Sequence, residues 1–174
     1  MELLEIMKNR RSIRKYTQEP VSEENLEKIL FAAMLSASGR GRQPWELIVV
    51  QERETLDKMA KARVGAAKML EGATCAIVVT ADPELTDVWT EDCSIAMSNM
   101  HLMAASLGVG SCWIQGRLRE AENGQSTEEY LRSLLGFPES YKLEAILSLG
   151  MPAEKLEAHR IEDLPKEKIH REHF

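Results

Sequence analysis

The stretch that most limits what this chain can become is TDVWTEDCSIAMSNMHLMAASLG, residues 86–108. Its spacing predicts one long helix, ended by Gly108. The middle of that helix is apolar nearly all round, and such a helix belongs at the centre of a fold with other elements packed about it. It is not a membrane span: Ser98, Asn99 and His101 interrupt the apolar run, and nothing in the chain reaches the roughly 20 apolar residues a bilayer requires. A length of 174 residues suits one compact domain, or one subunit of a small oligomer, with a core large enough to hold such a helix. The opening MELLEIMKNRR is too short and too acidic for a secretory signal, so a cytoplasmic, soluble protein is expected.

Short elements surround this helix in the sequence. Residues 2–9 read as a short helix whose apolar side is Leu3, Leu4, Ile6 and Met7. The segment EPVSEENLEKILFAAMLS reads as a second, with Ser22 as cap, Glu23 and Glu24 at its positive end and an apolar stripe of Leu26, Ile29, Leu30 and Ala33. Residues 53–71 look helical with a break near Gly65. STEEYLRSLLGFP carries a capping box, Ser126 with Glu129, and a stop at Gly136. Four apolar runs read as strands: WELIVVQ, CAIVVTAD, VGSCWIQG and LEAILSLGMP. Strands separated by helices imply a mixed α/β or α+β layer. Residues 38–42 and 117–125 read as polar loops. The polar residues 152–174 cannot form a core alone, and are either loose or wrapped over a partner.

Charge is unevenly placed. The chain has a formal net charge of -6, yet KNRRSIRKY, residues 8–16, holds five cations. In extended chain Arg10, Ser12 and Arg14 share one side and Arg11 takes the other. Guanidinium forks beside a hydroxyl suit a phosphate; the alternative is a solvated basic turn paired with acidic helix residues. The acidic balance and the lack of an aromatic-rich basic surface disfavour nucleic acid as the anion.

Familiar protein-borne chemistries are missing. LGVGSCW has glycines before a strand rather than after one, the reverse of a dinucleotide fingerprint, and GRGRQPW lacks the lysine ending of a P-loop. The four histidines have no metal-ligand spacing, and His101 reads as a core histidine. Cys75, Cys93 and Cys112 are too far apart for a zinc knuckle, and Cys75 and Cys112 read as buried filler. No Ser/His/Asp set is persuasive. An enzyme built on this chain therefore needs a cofactor to carry its chemistry.

Several stretches, taken in order, resemble the FMN-dependent nitroreductase family: RRSIRKY after the first helix; SASGRGRQPWELIVV, similar to a Ser-x-x-Asn-x-Gln-Pro-Trp run; AKMLEGATCAIVV, similar to a lysine-bearing segment before the second strand; and LGVGSCWIQG after the long helix. The resemblance covers residue 2 to the C-terminus. It implies an α+β fold with a mostly antiparallel central sheet flanked by helices, and an entwined homodimer holding FMN at the subunit interface. Residues 1–174 then form one FMN-binding domain whose extension, 152–174, wraps the partner subunit.

The resemblance also implies roles. Arg10 and Arg14 lie near the FMN phosphate or the polar edge of the flavin, Arg11 contributes from the same strand, and Ser12 supplies a hydroxyl. Arg160, ahead of its neighbour His159, is a further phosphate contact from the extension. Lys68 occupies the position of a cation that stabilises reduced flavin near N1 and the C2 carbonyl. Backbone N–H groups of Gln115 and Gly116 face flavin N5, Trp113 and Ile114 wall one face of the ring, and Ser38 and Gln43 reach it from the other subunit. NADH or NADPH, then a small-molecule electron acceptor such as a nitroaromatic, quinone or flavin, would use the open face in turn. Arg40 and Arg42 leave the choice of nicotinamide open. Other readings on the same fold are a flavin-dependent enzyme of another reaction type and a non-catalytic FMN-binding or redox-sensing module. Two positions depart from the pattern. Gly41 stands in place of the run's Asn, and Gly65 stands where some members carry Asn. Each removes a side-chain contact to the ring.

Overall fold

The computed structural model describes residues 2–174. Its centre is a four-stranded sheet of β1 (Trp45–Val50), β2 (Cys75–Ala81), β3 (Gly110–Gln115) and β4 (Lys142–Gly150), in the order β1-β2-β4-β3 with every pair antiparallel. The fold is α+β. Side chains alternate between two apolar layers, as the pleat requires. Ile77, Val79, Ala145 and Leu147 meet α2 (Glu23–Met34) and α4 (Trp89–Ser106) on one face. Ala76, Val78, Ile114 and Ile146 meet α3 (Arg53–Met59) and α5 (Thr127–Leu135) on the other. Covered on both faces, β2 is buried at all of its positions and reads as a continuous apolar run. Each buried Leu or Ile contributes about 1.5–3 kcal/mol.

Local signals set the helix ends. Ser22 accepts from the Asn25 N–H at 3.3 Å. The capping box of Ser126 and Glu129 is present, and Gly136 closes α5 in the left-handed region at φ 75°. Between Val79 and Thr80 the β2–β4 register slips, with Leu143 and Ala145 as successive partners, so Glu144 is the extra residue of a bulge.

Two expectations change. The helix predicted over 53–71 stops at Met59; turns follow, with Gly65 at φ 69°, and only Lys68–Glu71 makes a further 3-10 turn. The long helix α4 is buried on one face rather than all round, since Ile95 is 40% exposed. In α1 (Leu3–Asn9) no residue is buried, and Leu3, Leu4 and Met7 lie open. Leu4 and Met7 share a cavity with Ile161 and Leu164 of the extension, whereas Ile95 stands among the exposed Glu91 and Ser98 of α4.

Residues 10–17 form an extended arm across the ends of β3 and β4. The Ile13 N–H donates to Ser111 O at 2.9 Å and the Thr17 N–H to Met151 O at 2.8 Å. Tyr16 anchors the arm from below, its hydroxyl bonded to Ile13 O at 2.6 Å and to Ser148 Oγ at 2.7 Å. Glycine permits this approach: a Cβ on Gly110 would lie 2.9 Å from Ile13 Cγ2, and one on Gly150 would lie 2.8 Å from the Tyr16 ring. The extension runs back along the arm of its own chain. The Ala153 N–H donates to Lys15 O and the His159 N–H to Lys8 O, while the Glu154 carboxylate accepts from the Arg14 and Lys15 N–H groups.

Candidate functional site

The arm brings its cations to the outer edge of β3. Arg10 is half-buried, and its Nη1 donates to Nε2 of His101 on α4 at 2.8 Å. Guanidinium is only a donor, so His101 accepts at Nε2 and carries its proton on Nδ1, which bonds Ser111 Oγ. Burial, reinforced by the Arg10 charge, pulls the His101 pKa from 6.5 to about 4, so the ring is neutral at pH 7. Arg14 Nη1 donates to Ser12 O at 3.1 Å, and the Ser12 hydroxyl lies against Cys112. Arg11 goes the other way, as strand alternation predicts, and its guanidinium donates to the Glu157 carbonyl.

A second cationic edge comes from residues 60–72. Arg14, Lys15, Gly65, Ala66 and Lys68 line one depression of about 640 Å³, within the usual size of small-molecule sites. Arg63, which sequence reasoning missed, stands on the same loop but lines a neighbouring depression with Val64, Leu118, Arg119 and Glu120. Burial and nearby Arg119 lower its pKa, and its charge reaches Cys112 together with those of Arg10 and Arg14. The loop that carries Arg63 is fastened by Val64 N–H to Glu120 O at 2.9 Å and by Thr127 Oγ1 to Ala62 O at 2.6 Å. The available signal was an arginine set among small residues in AKARVGAAK, between Lys61 and Lys68. Among the described residues, none of Arg10, Arg14, Arg63 and Lys68 is paired with a carboxylate. Cationic side chains without a carboxylate partner can receive an anion, even with Glu71 on the same depression and Glu154 on the Arg14 and Lys15 backbone.

The strand edge beside these cations is partly free. Ser111 turns its carbonyl outward to the arm, so Trp113 and Gln115, of the same parity, also present their backbone outward. Trp113 is half-buried and donates from Nε1 to Gln115 Oε1 at 2.8 Å; Gln115 Nε2 in turn donates to Glu144 O at 3.2 Å. Two expectations are corrected. Ile114 is fully buried with Ile146 in the core, so its side chain walls nothing outside. The Gly116 N–H already donates to Glu144 O at 3.1 Å, which leaves Gln115 as the outward N–H donor.

Other expected residues are not assembled here. Ser38 and Gln43 lie together beyond α2, where the Gln43 N–H donates to Ser38 Oγ at 3.0 Å and Asp92 Oδ1 accepts from Gly39 N–H at 2.8 Å. Arg160 is largely exposed and faces Glu162 and Asp163, and His159 lies beside α1. The extension thus passes the arm without bringing Arg160 to it. Gly41 and Gly65 have φ of 66° and 69°, which explains glycine at both by backbone rather than by contact.

No group of His, Cys, Asp and Glu among the described residues could hold a metal, and all three cysteines are buried. Burial raises the thiol pKa at each of the three, so none is an activated nucleophile. What the arrangement offers is an arm whose Arg10 and Arg14 side chains have no carboxylate partner among the described residues, an outward N–H at a strand end and a lysine on a shallow depression. That donor set fits a phosphate ester that carries a flat, hydrogen-bonding ring.

Comparison with known proteins points the same way. The profile described as "Nitroreductase family" matches residues 7–66 and 59–151. A relative from Archaeoglobus fulgidus, named provisionally as an NADH dehydrogenase/NAD(P)H nitroreductase, is 42% identical over 98% of each chain. Among solved structures, an FMN-dependent nitroreductase from Clostridium difficile superposes with a TM-score of 0.94 at 43% identity, covering 98% of this chain and 99% of that one. A nitroreductase-type protein from Desulfovibrio desulfuricans, solved in complex with FMN, gives a TM-score of 0.80 at 27% identity, covering 100% of this chain and 98% of the other. No described helix is long and apolar enough to cross a membrane.

Proposed function

Because this chain belongs to the nitroreductase family, an oxidoreductase family, we propose that it is an FMN-dependent NAD(P)H oxidoreductase working as a homodimer. The observation that carries this reading is the depression lined by Arg14, Lys15 and Lys68, with no salt bridge to Arg14 or Lys68 among the described residues, beside Arg10 on the same arm. Arg10, Arg14 and Ser12 hold the FMN phosphate and the polar edge of the ring. Lys68 offsets the negative charge that reduction places near N1 and the C2 carbonyl. The Gln115 N–H marks the N5 side, and Trp113 lies beneath the ring. When bound, FMN supplies the two-electron chemistry, taking hydride from NADH or NADPH at N5 and passing the electrons to an acceptor such as a nitroaromatic, a quinone or a flavin. The chain itself binds, orients and tunes.

The homodimer is supported by what this chain leaves uncovered. Leu3, Leu4 and Met7 of α1 and Phe31, Met34 and Leu35 at the end of α2 are exposed, large apolar side chains that a second copy would cover. A second copy also gives Ser38 and Gln43 a site to reach, and gives residues beyond 160 a surface to lie on.

Visible absorption of the purified protein tests the reading, with FMN and then NADH or NADPH added without oxygen. Flavin bands that bleach on nicotinamide addition are the expected result. Bound flavin that does not bleach with either would mean an FMN-binding module. Failure to retain FMN at all would sink the proposal.

A further inference from the structure

His101 is a buried titratable group to which the reading above gives no task. It lies on α4, 8% exposed, and touches two parts of the candidate site at once. Nε2 accepts from Arg10 Nη1 at 2.8 Å, and Nδ1–H bonds Ser111 Oγ. Ser111 is also the residue whose carbonyl receives the Ile13 N–H of the arm. One short chain of contacts therefore runs from the central helix through the strand edge to the arginine.

We propose that His101 is a positioning residue that aims Arg10 at the FMN phosphate by giving its guanidinium an uncharged acceptor. The inference rests on the reading that Arg10 receives that phosphate. An arginine that must meet a dianion needs a fixed direction, because freezing a long side chain at the moment of binding weakens the complex. A carboxylate would fix it more firmly but would cancel the charge the phosphate needs. A neutral imidazole fixes the fork and leaves the charge whole.

The surroundings keep the ring neutral. Arg10 is the charged group bonded to it. Strand β3 presents the Ser111 hydroxyl, and Met97, Ala104 and Ala105 are its apolar neighbours at helical spacing on α4. Glu154 and Lys155 of the extension line the cavity shared with Arg10 and Ser111, and the Glu154 carboxylate is occupied by the Arg14 and Lys15 N–H groups. Protonation at Nε2 would place two cations in contact and remove the acceptor in one step.

The test titrates FMN and riboflavin, which lacks the phosphate, into flavin-free full-length protein and reads both dissociation constants by fluorescence. His101→Leu is expected to weaken FMN about tenfold to a hundredfold, the size of one hydrogen bond to a charged group, with riboflavin within about twofold of wild type. His101→Gln, which keeps a neutral acceptor, is expected to recover most of the FMN affinity. His101→Glu, which keeps an acceptor but neutralises Arg10, is expected to stay as weak as the leucine variant. Equal losses for FMN and riboflavin would mean a merely structural histidine and overturn the inference. Should the leucine variant not fold, the glutamine and glutamate variants decide alone, and equal FMN affinity in the two would overturn it. Arg10→Ala separates the two levels. FMN weakened by Arg10→Ala but untouched by His101→Leu refutes the positioning role alone, whereas FMN untouched by Arg10→Ala refutes the phosphate assignment beneath it.

Discussion

Acid is a direct probe of His101. In the folded chain its pKa is about 4, against 6.5 for an ordinary histidine. Between these values the unfolded chain binds a proton that the folded chain refuses. Stability must therefore fall as pH drops from about 6.5 to about 4 and level off below, where both states are protonated. At about 1.4 kcal/mol per pH unit the gap amounts to about 3 kcal/mol. The assay is urea unfolding of flavin-free protein near pH 7 and near pH 4, wild type beside His101→Gln, in which this titration is gone. With a urea slope of about 1–3 kcal/mol/M, the acid loss of midpoint should be about 1–3 M smaller in the variant. Glu144, whose carboxyl pKa burial raises, acts in the opposite direction, and it cancels because both proteins carry it. Equal acid losses in the two proteins would show that His101 is not held neutral by its surroundings, and the argument from burial and Arg10 would fail.

Other outcomes follow from the same geometry. Arg10→Ala should lose a contact of about 1.5–3 kcal/mol to the phosphate and release FMN on dialysis, read by the flavin absorbance left with the protein. Lys68→Ala should slow flavin reduction more than it loosens FMN, as stopped-flow bleaching against equilibrium titration would show. Tyr16→Phe removes the donor to Ile13 O and the acceptor for Ser148 Oγ and should cost about 1–3 kcal/mol in chemical denaturation. Gly150→Ala must push the Tyr16 ring, 2.8 Å from the new carbon, and should cost about 1–3 kcal/mol in denaturation while weakening FMN retention.

How legible all this was depended on whether a feature is local. The caps at Ser22 and Ser126, the Gly136 stop and the four strands are written in neighbouring residues, and each stands where expected. The helix predicted over 53–71 failed because its later turns answer to distant partners: Val64 and Lys61 bond the loop at 120–122 rather than their own helix. Burial of α4 was misjudged for the opposite reason, since apolarity reports that a face seeks cover without saying which molecule supplies it. Of the candidate site, Arg10, Ser12 and Arg14 were visible as an alternating cationic stretch, and the resemblance supplied Lys68. Arg63 was invisible because only the fold brings it to Cys112. Ile114 and Gly116 were misjudged at the level of strand parity and bulges, where a single extra residue, Glu144, decides which N–H groups are free.

The strand order has a consequence for how the chain is made. β4 is the last strand to be synthesised, yet it lies between β2 and β3. Until residues 142–150 are made, β3 has no strand partner in the sheet and β2 lacks one of its two. The arm, made first, must wait as well, since its anchors are Ser111, Ser148, Met151 and Glu154. The pairings that complete the sheet all span a long stretch of sequence, so formation is a late, collective event with a high loop-closure cost. A chain cut before residue 142 would therefore lose more than an edge: β2 and β3 would have nothing to join them, and the arm would lose Ser148, Met151 and Glu154 together.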